Sequence, residues 1–150
     1  MPPANHCCRN SGSASHFQTV SGVASIGSLL AQLAAAGLAD QVTFLSLNVF
    51  GRTLGPSNTD GRQHNQNHQV SIAIGKPFRA GVIGGVGPVD GDYGALAIDS
   101  ATGAGGAGGD VAPLETLASF GKTALAAVGG DAAALGSKIL NGKVIAAALA

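Results

Sequence analysis

Two apolar runs, residues 42–47 and 70–74, enclose the one stretch of this chain that is dense in reactive side chains. It opens with Asn48-Val49-Phe50-Gly51-Arg52-Thr53 and continues as a polar loop carrying Asp60, Gly61-Arg62-Gln63-His64 and His68. Connections between strands are usually short, and one this long is commonly functional or disordered. His64 and His68 are four apart, so on a helical turn they would share a face and could hold one metal ion. Asp60 is near enough in sequence to add an oxygen ligand. Against this stands a solvated polar loop, because Asn and Gln surround both histidines. Arg52 follows Gly51 just past a strand end, where a guanidinium suits either an anion or a structural salt bridge.

Other candidate chemistry is thin. The run Gly103-Ala104-Gly105-Gly106-Ala107-Gly108-Gly109 lacks the Lys-Ser or Lys-Thr ending of a phosphate loop and follows no strong strand, so it reads as a flexible loop. Cys7 and Cys8 are adjacent in a tail-like segment; they read as an unstructured thiol pair, with a metal or redox role shared with His6 as the alternative. Lys76, Arg79 and Lys122 read as solvated cations, and Ser46 and Ser71 as hydrogen-bonded core hydroxyls. No Gly-x-Ser-x-Gly elbow is present, so no catalytic residue is assigned.

The elements that must position the loop follow from periodicity. Residues 1–17 have none and read as a disordered tail or a truncated junction. From Val20 onward, Val23, Ile26, Leu30 and Leu33 recur at helical spacing. Gly37 supplies a left-handed C′ position and Leu38 its apolar partner. Residues 42–47 are nearly all apolar, which suits a strand buried on both faces in a parallel sheet. Residues 80–85 suit a short strand or ribbon, and 90–109 look weakly structured. A second helix begins near Pro113, with Leu114, Leu117, Gly121, Ala124, Leu125 and Val128 on one face and Gly129-Gly130 as its stop. Asp131 caps a short helix, and Asn141-Gly142 turns into an apolar end, 144–149. Helix, strand, long loop, strand, helix is an α/β order, in which ligand sites gather beyond the carboxyl ends of strands.

Composition narrows the function classes. The chain has 150 residues, 24 of them Gly, with 11% charged and 4% aromatic residues. Its apolar content is largely Ala, and burial stabilises by only about 25 cal/mol per Å², so the chain reads as one that needs more protein around it. Eight basic residues balance eight acidic ones with no basic stripe, which argues against nucleic acid. No apolar run approaches the roughly 20 residues of a membrane span, and residues 1–12 lack the pattern of a signal peptide.

Residues 20–149 resemble the C-terminal part of a bacterial family, domain of unknown function fifteen-oh-one, which is similar to sulfatases within the alkaline-phosphatase-like superfamily. The residues that carry the resemblance are Phe50-Gly51-Arg52-Thr53, then Gly61-Arg62-Gln63-His64, then 70–75 and Arg79-Ala80-Gly81-Val82-Ile83-Gly84-Gly85. It implies that residues 18–150 are the C-terminal portion of a three-layer α/β/α alkaline-phosphatase-like sheet domain, with the N-terminal half of the same domain as partner. Complete relatives would be metal-dependent hydrolases of small anionic phosphate or sulfate esters, working in the periplasm or otherwise outside the cytoplasm. The resemblance makes His64 a ligand of a divalent, zinc-like metal; the residues around it offer Asp60 or His68 as substitute partners and Arg52 as an anion-binding or loop-ordering group. Where the family has acidic residues this chain has Val49 and Gln63, which removes charge that a divalent site needs. A fragment or degenerate member, inactive alone, is therefore expected; the alternative is a non-catalytic binding or structural module of the cell envelope.

Overall fold

Residues 11–48, 50–55 and 62–150 are described in the computed structural model. Cys7, Cys8, Val49 and Asp60, and with them the expectations placed on those positions, lie outside the described residues.

The first helix, α1 (Ser11–Ala35), begins inside the stretch expected to be a tail. Small Ser, Ala and Gly residues without proline permit a helix there even though they give no amphipathic signal. Its end is as expected: Gly37 has φ +72°, the Leu38 amide donates to the Leu33 carbonyl at 2.8 Å, and the Gly37 amide to Ala34 at 3.0 Å. These two bonds define a Schellman ending. Ile26, Leu30 and Leu33 are half-buried, while Val20, Val23 and Leu29 are exposed.

The sheet structure among the described residues differs from the expected parallel layer. β1 (Phe44–Ser46) pairs antiparallel with β4 (Ile72–Ile74), with Phe44 opposite Ile74 and Ser46 opposite Ile72. Leu45, Leu47, Val70 and Ile72 are exposed, so neither strand is buried on both faces. The composition of these apolar runs is that of covered strands, but the described residues do not supply the cover. β2 (Gly51–Arg52) and β3 (His64–Asn65) form a second antiparallel ribbon. The fold class is thus mixed α and β with small antiparallel sheets.

A third ribbon, β5 (Val86–Val89) with β6 (Asp92–Ala95), was missed in the sequence. Val89 pairs with Asp92, which leaves a two-residue turn at Asp90 and Gly91, with φ +51° and +81°. Positive φ at both centres marks the type I′ turn that Asp-Gly favours.

The Gly-rich run is packed against its neighbours and does not form the free loop expected of it. The Gly84 amide donates to the Gly103 carbonyl at 2.7 Å, and Ile98 exchanges both backbone bonds with Val111, at 2.9 and 3.0 Å. A β-carbon on Gly105 would meet the Gly85 nitrogen at 2.5 Å, and one on Gly109 would meet Ile98 at the same distance. The glycines therefore permit backbone to lie on backbone. This fold-back encloses the small core of Ile98, Val111 and Ile145, with Ala147 and Ala148 against it.

Pro113 opens a 3₁₀ turn (Pro113–Glu115) that leads into α2 (Thr116–Ala127), near where the sequence places a helix start. The helix then turns the other way from its expected packing. Leu114 is 100% exposed and Leu117 59%, whereas Ser119 is 0% and Thr123 5% exposed. A C-terminal strap over residues 142–145 lies along this hydroxyl face. The Lys143 amide donates to Ser119 Oγ at 2.9 Å and the Ile145 amide to Thr123 Oγ1 at 2.9 Å. Between the two, Asp131 caps α3 (Ala132–Lys138), accepting the Ala134 amide at 2.7 Å.

Candidate functional site

The histidines and Arg52 sit on the β2–β3 ribbon and the turn that follows it. Gly51 pairs with Asn65 and Arg52 with His64, and the Thr53 amide extends the ladder to the Gln63 carbonyl at 3.1 Å. Side chains alternate across a strand, so the ribbon has two chemically different faces.

Phe50, Arg52 and His64 share one face. The His64 ring stacks on Phe50, with centroids 3.9 Å apart and planes inclined by 27°. The Arg52 guanidinium carbon lies 5.5 Å from the Phe50 centroid, within cation–π range. Both His64 and Arg52 are exposed, so an imidazole and a guanidinium reach solvent from a common aromatic base.

Asn65 and His68 occupy the other face. A β-carbon on Gly51, which pairs with Asn65, would fall inside the His68 imidazole, with Cε1 at 2.7 Å and two more ring atoms closer still. His68 Nδ1 lies 3.2 Å from the Tyr93 carbonyl oxygen. The buried Asn65 amide donates to that same oxygen at 2.9 Å and to Asp92 Oδ2 at 3.2 Å, and accepts the Asn67 amide at 2.8 Å. Asp92 Oδ1 accepts the amides of Leu54 at 2.9 Å and Tyr93 at 2.8 Å. The Leu54 amide, followed by that of Tyr93, holds the Asp92 carboxyl below its ordinary range; Asn65 and the charge of His68 act in the same direction, and burial opposes them.

Sequence spacing put His64 and His68 on one face of a helical turn. The structure corrects that: His64 is in a strand, residues 66–67 turn, and the two rings lie on opposite faces of the ribbon. Among the described residues, no three His, Cys, Asp or Glu side chains are grouped to hold a metal ion. The Asp92 carboxylate, which interacts with the charge of His68, already accepts three donors. The described donors therefore do not by themselves fit a resident divalent cation, which needs several convergent ligands.

Sequence spacing and composition do not single out Asn65, Asp92 or Tyr93. The available signal was Asp90-Gly91 flanked by Val86, Val89 and Tyr93, a two-residue hairpin pattern. Recognising it would have set Asp92 at the base of a tight turn, although not beside His68.

Next to His68 runs an apolar groove of about 700 Å³, lined among others by Val82, Ile83, Leu96, Leu117 and Phe120. The described helices include none long and apolar enough to cross a membrane. Comparison with protein-family models, with curated proteins and with solved structures returned no match.

Proposed function

We propose that this chain is the C-terminal portion of an alkaline-phosphatase-like α/β/α domain, whose β2–β3 rim contributes an imidazole and a guanidinium to a site completed by other protein. The observation that carries this reading is the distribution of apolar side chains. Among the described residues eighteen large hydrophobic side chains are exposed and four apolar ones are buried. Isolated exposed hydrophobics are ordinary, but contiguous apolar surface marks an interface. Here exposed apolar side chains lie on α1, on the β1–β4 ribbon and on the outer face of α2, and the groove is lined by side chains of β4 and α2 but by none of α1. A two-stranded ribbon with open edges also invites further strands. Such surfaces are what a layered sheet domain presents when part of its layers is supplied separately.

The rim chemistry supports a role with small anionic esters of the sulfate or phosphate kind, with Arg52 meeting the anion. A zinc-like metal would be approached either by His64 or, on the opposite face of the ribbon, by His68, not by both at once, with Asp60 as an oxygen donor. No reaction step is assigned to them, because the described donors are incomplete. By resemblance the setting is periplasmic or otherwise extracytoplasmic.

A second reading, a non-catalytic binding or structural module of the envelope, is favoured by the saturation of Asp92 and by the neutral Gln63 beside His64. Two measurements separate the readings. Protein dialysed against chelator is titrated with zinc alongside His64→Ala; identical behaviour of the two removes the metal role of His64. Sedimentation velocity with a dye that reports apolar surface tests the partial domain, which is expected to self-associate and to bind dye. A dye-silent monomer would remove that reading.

A further inference from the structure

His68 is the more constrained of the two imidazoles. A carbonyl oxygen can only accept a hydrogen bond, so the contact between Nδ1 and Tyr93 O places the ring proton on Nδ1. In the neutral ring Nε2 is then the nitrogen with the lone pair. The rest of the contact set holds this arrangement in place. Tyr93 O takes its second bond from Asn65 Nδ2, and the amide of Asn65 cannot be flipped without loss. Its Nδ2 faces two acceptors, Tyr93 O and Asp92 Oδ2, while its Oδ1 receives the Asn67 amide. Asp92 is fixed in turn by the amides of Leu54 and Tyr93. Gly51 leaves room for the ring, since any β-carbon there would occupy its place. Among the described residues His64 has no such frame: its ring is exposed and stacked on Phe50.

We propose that His68 carries its proton on Nδ1 and its lone pair on Nε2, and that Asn65 and Asp92 are the positioning residues that set this state. A nitrogen aimed by a hydrogen bond on its opposite side is how an imidazole is prepared to take a proton or a cation. The inference rests on the rim as a half-site, and it puts the accepting imidazole, His68, on the face of the ribbon opposite Arg52 and His64.

Long-range ¹H–¹⁵N correlation spectra of the labelled chain, recorded with the imidazoles neutral, test it. His68 is expected as the Nδ1–H tautomer, and His64 as the mixture dominated by Nε2–H that free histidine adopts. Asn65→Ala is expected to move His68 toward that mixture, and Asp92→Asn to move it part of the way. An Nε2–H form at His68 in the wild type, or an unchanged tautomer in folded Asn65→Ala, overturns the proposal. If Asn65→Ala does not fold, the wild-type spectrum decides. Added zinc is expected to shift His68 Nε2 before any His64 signal, and the reverse order overturns the assignment of the accepting ring. Zinc that shifts neither ring removes the metal reading of the rim, while a fixed Nδ1–H at His68 still supports the positioning role.

Discussion

Gly51 and His68 are fitted ring to backbone: the imidazole occupies the space that a side chain at Gly51 would need. Because the ring is also tied to the Tyr93 carbonyl, it cannot move aside without breaking that bond. Gly51→Ala is therefore expected to expel His68 and to lower stability by about 1–3 kcal/mol, the usual range for overpacking. Urea unfolding measures the loss, and the His68 imidazole shifts report the displacement. An alanine variant with wild-type stability and unchanged shifts would show that the ring yields freely.

Thr123 joins α2 to the strap through one buried hydroxyl, which donates to the Ser119 carbonyl at 2.7 Å and receives the Ile145 amide. Thr123→Val keeps the shape and deletes both bonds. It leaves the Ile145 amide buried without its acceptor, so a loss of about 1–3 kcal/mol is expected. Hydrogen exchange at Ile145 should accelerate in parallel.

Glycine substitutions should divide by environment. A β-carbon on Gly142 would meet the Ser119 nitrogen at 2.6 Å, and its φ of +74° is left-handed. Gly142→Ala is expected to cost about 2–4 kcal/mol through strain and overlap together. A β-carbon on Gly22 in α1 would meet nothing within 4 Å, so Gly22→Ala should favour the helix by about 0.5–1 kcal/mol. Denaturation of the first and far-ultraviolet circular dichroism of the second are the measurements.

Acid should weaken the fold. The Asp110 carboxyl is held well below its ordinary range by the Lys143 ammonium first, then by the amide and hydroxyl of Ser100. Asp99 is also held low, chiefly by the amide of Thr102. A carboxyl depressed in the folded state binds its proton more readily when unfolded. Its contribution is therefore present above the ordinary value of 3.8 and is lost as pH falls toward the folded value. Urea midpoints are expected to be level from neutrality down to about pH 5 and to fall below it. Asp110→Asn should flatten that fall, and a slope equal to wild type would remove Asp110 from the account.

The outward face of α2 offers a surface test. Leu117→Lys and Val128→Lys alter exposed side chains, so stability should change by no more than about 0.5 kcal/mol. Dye binding and self-association should both decrease. A large loss of stability would mean that this face is packed within the chain itself.

How much of this was legible in the sequence depended on whether the signal was local. The Gly37 ending, the start at Pro113 and the Asp131 cap were readable because each is set by one or two residues and their backbone angles. The Asp90-Gly91 hairpin was equally local and was overlooked beneath the surrounding glycines. The face of α2 could not be read, because hydrophobic spacing identifies a stripe without saying which surface covers it. Here the chain's own strap chose the hydroxyl side, anchored by Ser119 and Thr123. The bonds from Asn65 and His68 to Asp92 and the Tyr93 carbonyl join residues 25 to 28 positions apart, and no periodicity encodes such a contact.

The strap and the helix beneath it also share a unit of length. Ser119 and Thr123 are four residues apart, an advance of about 6 Å along a helix axis. The amides they receive, at Lys143 and Ile145, are two residues apart, about 6.6 Å in extended chain. One helical turn and one extended dipeptide therefore march in step, and both hydroxyls meet an amide at once. A single residue inserted or deleted between positions 143 and 145 would bring a carbonyl or side chain to one of the two hydroxyls. The segment would detach from the helix as a whole, where a simple substitution would only loosen it.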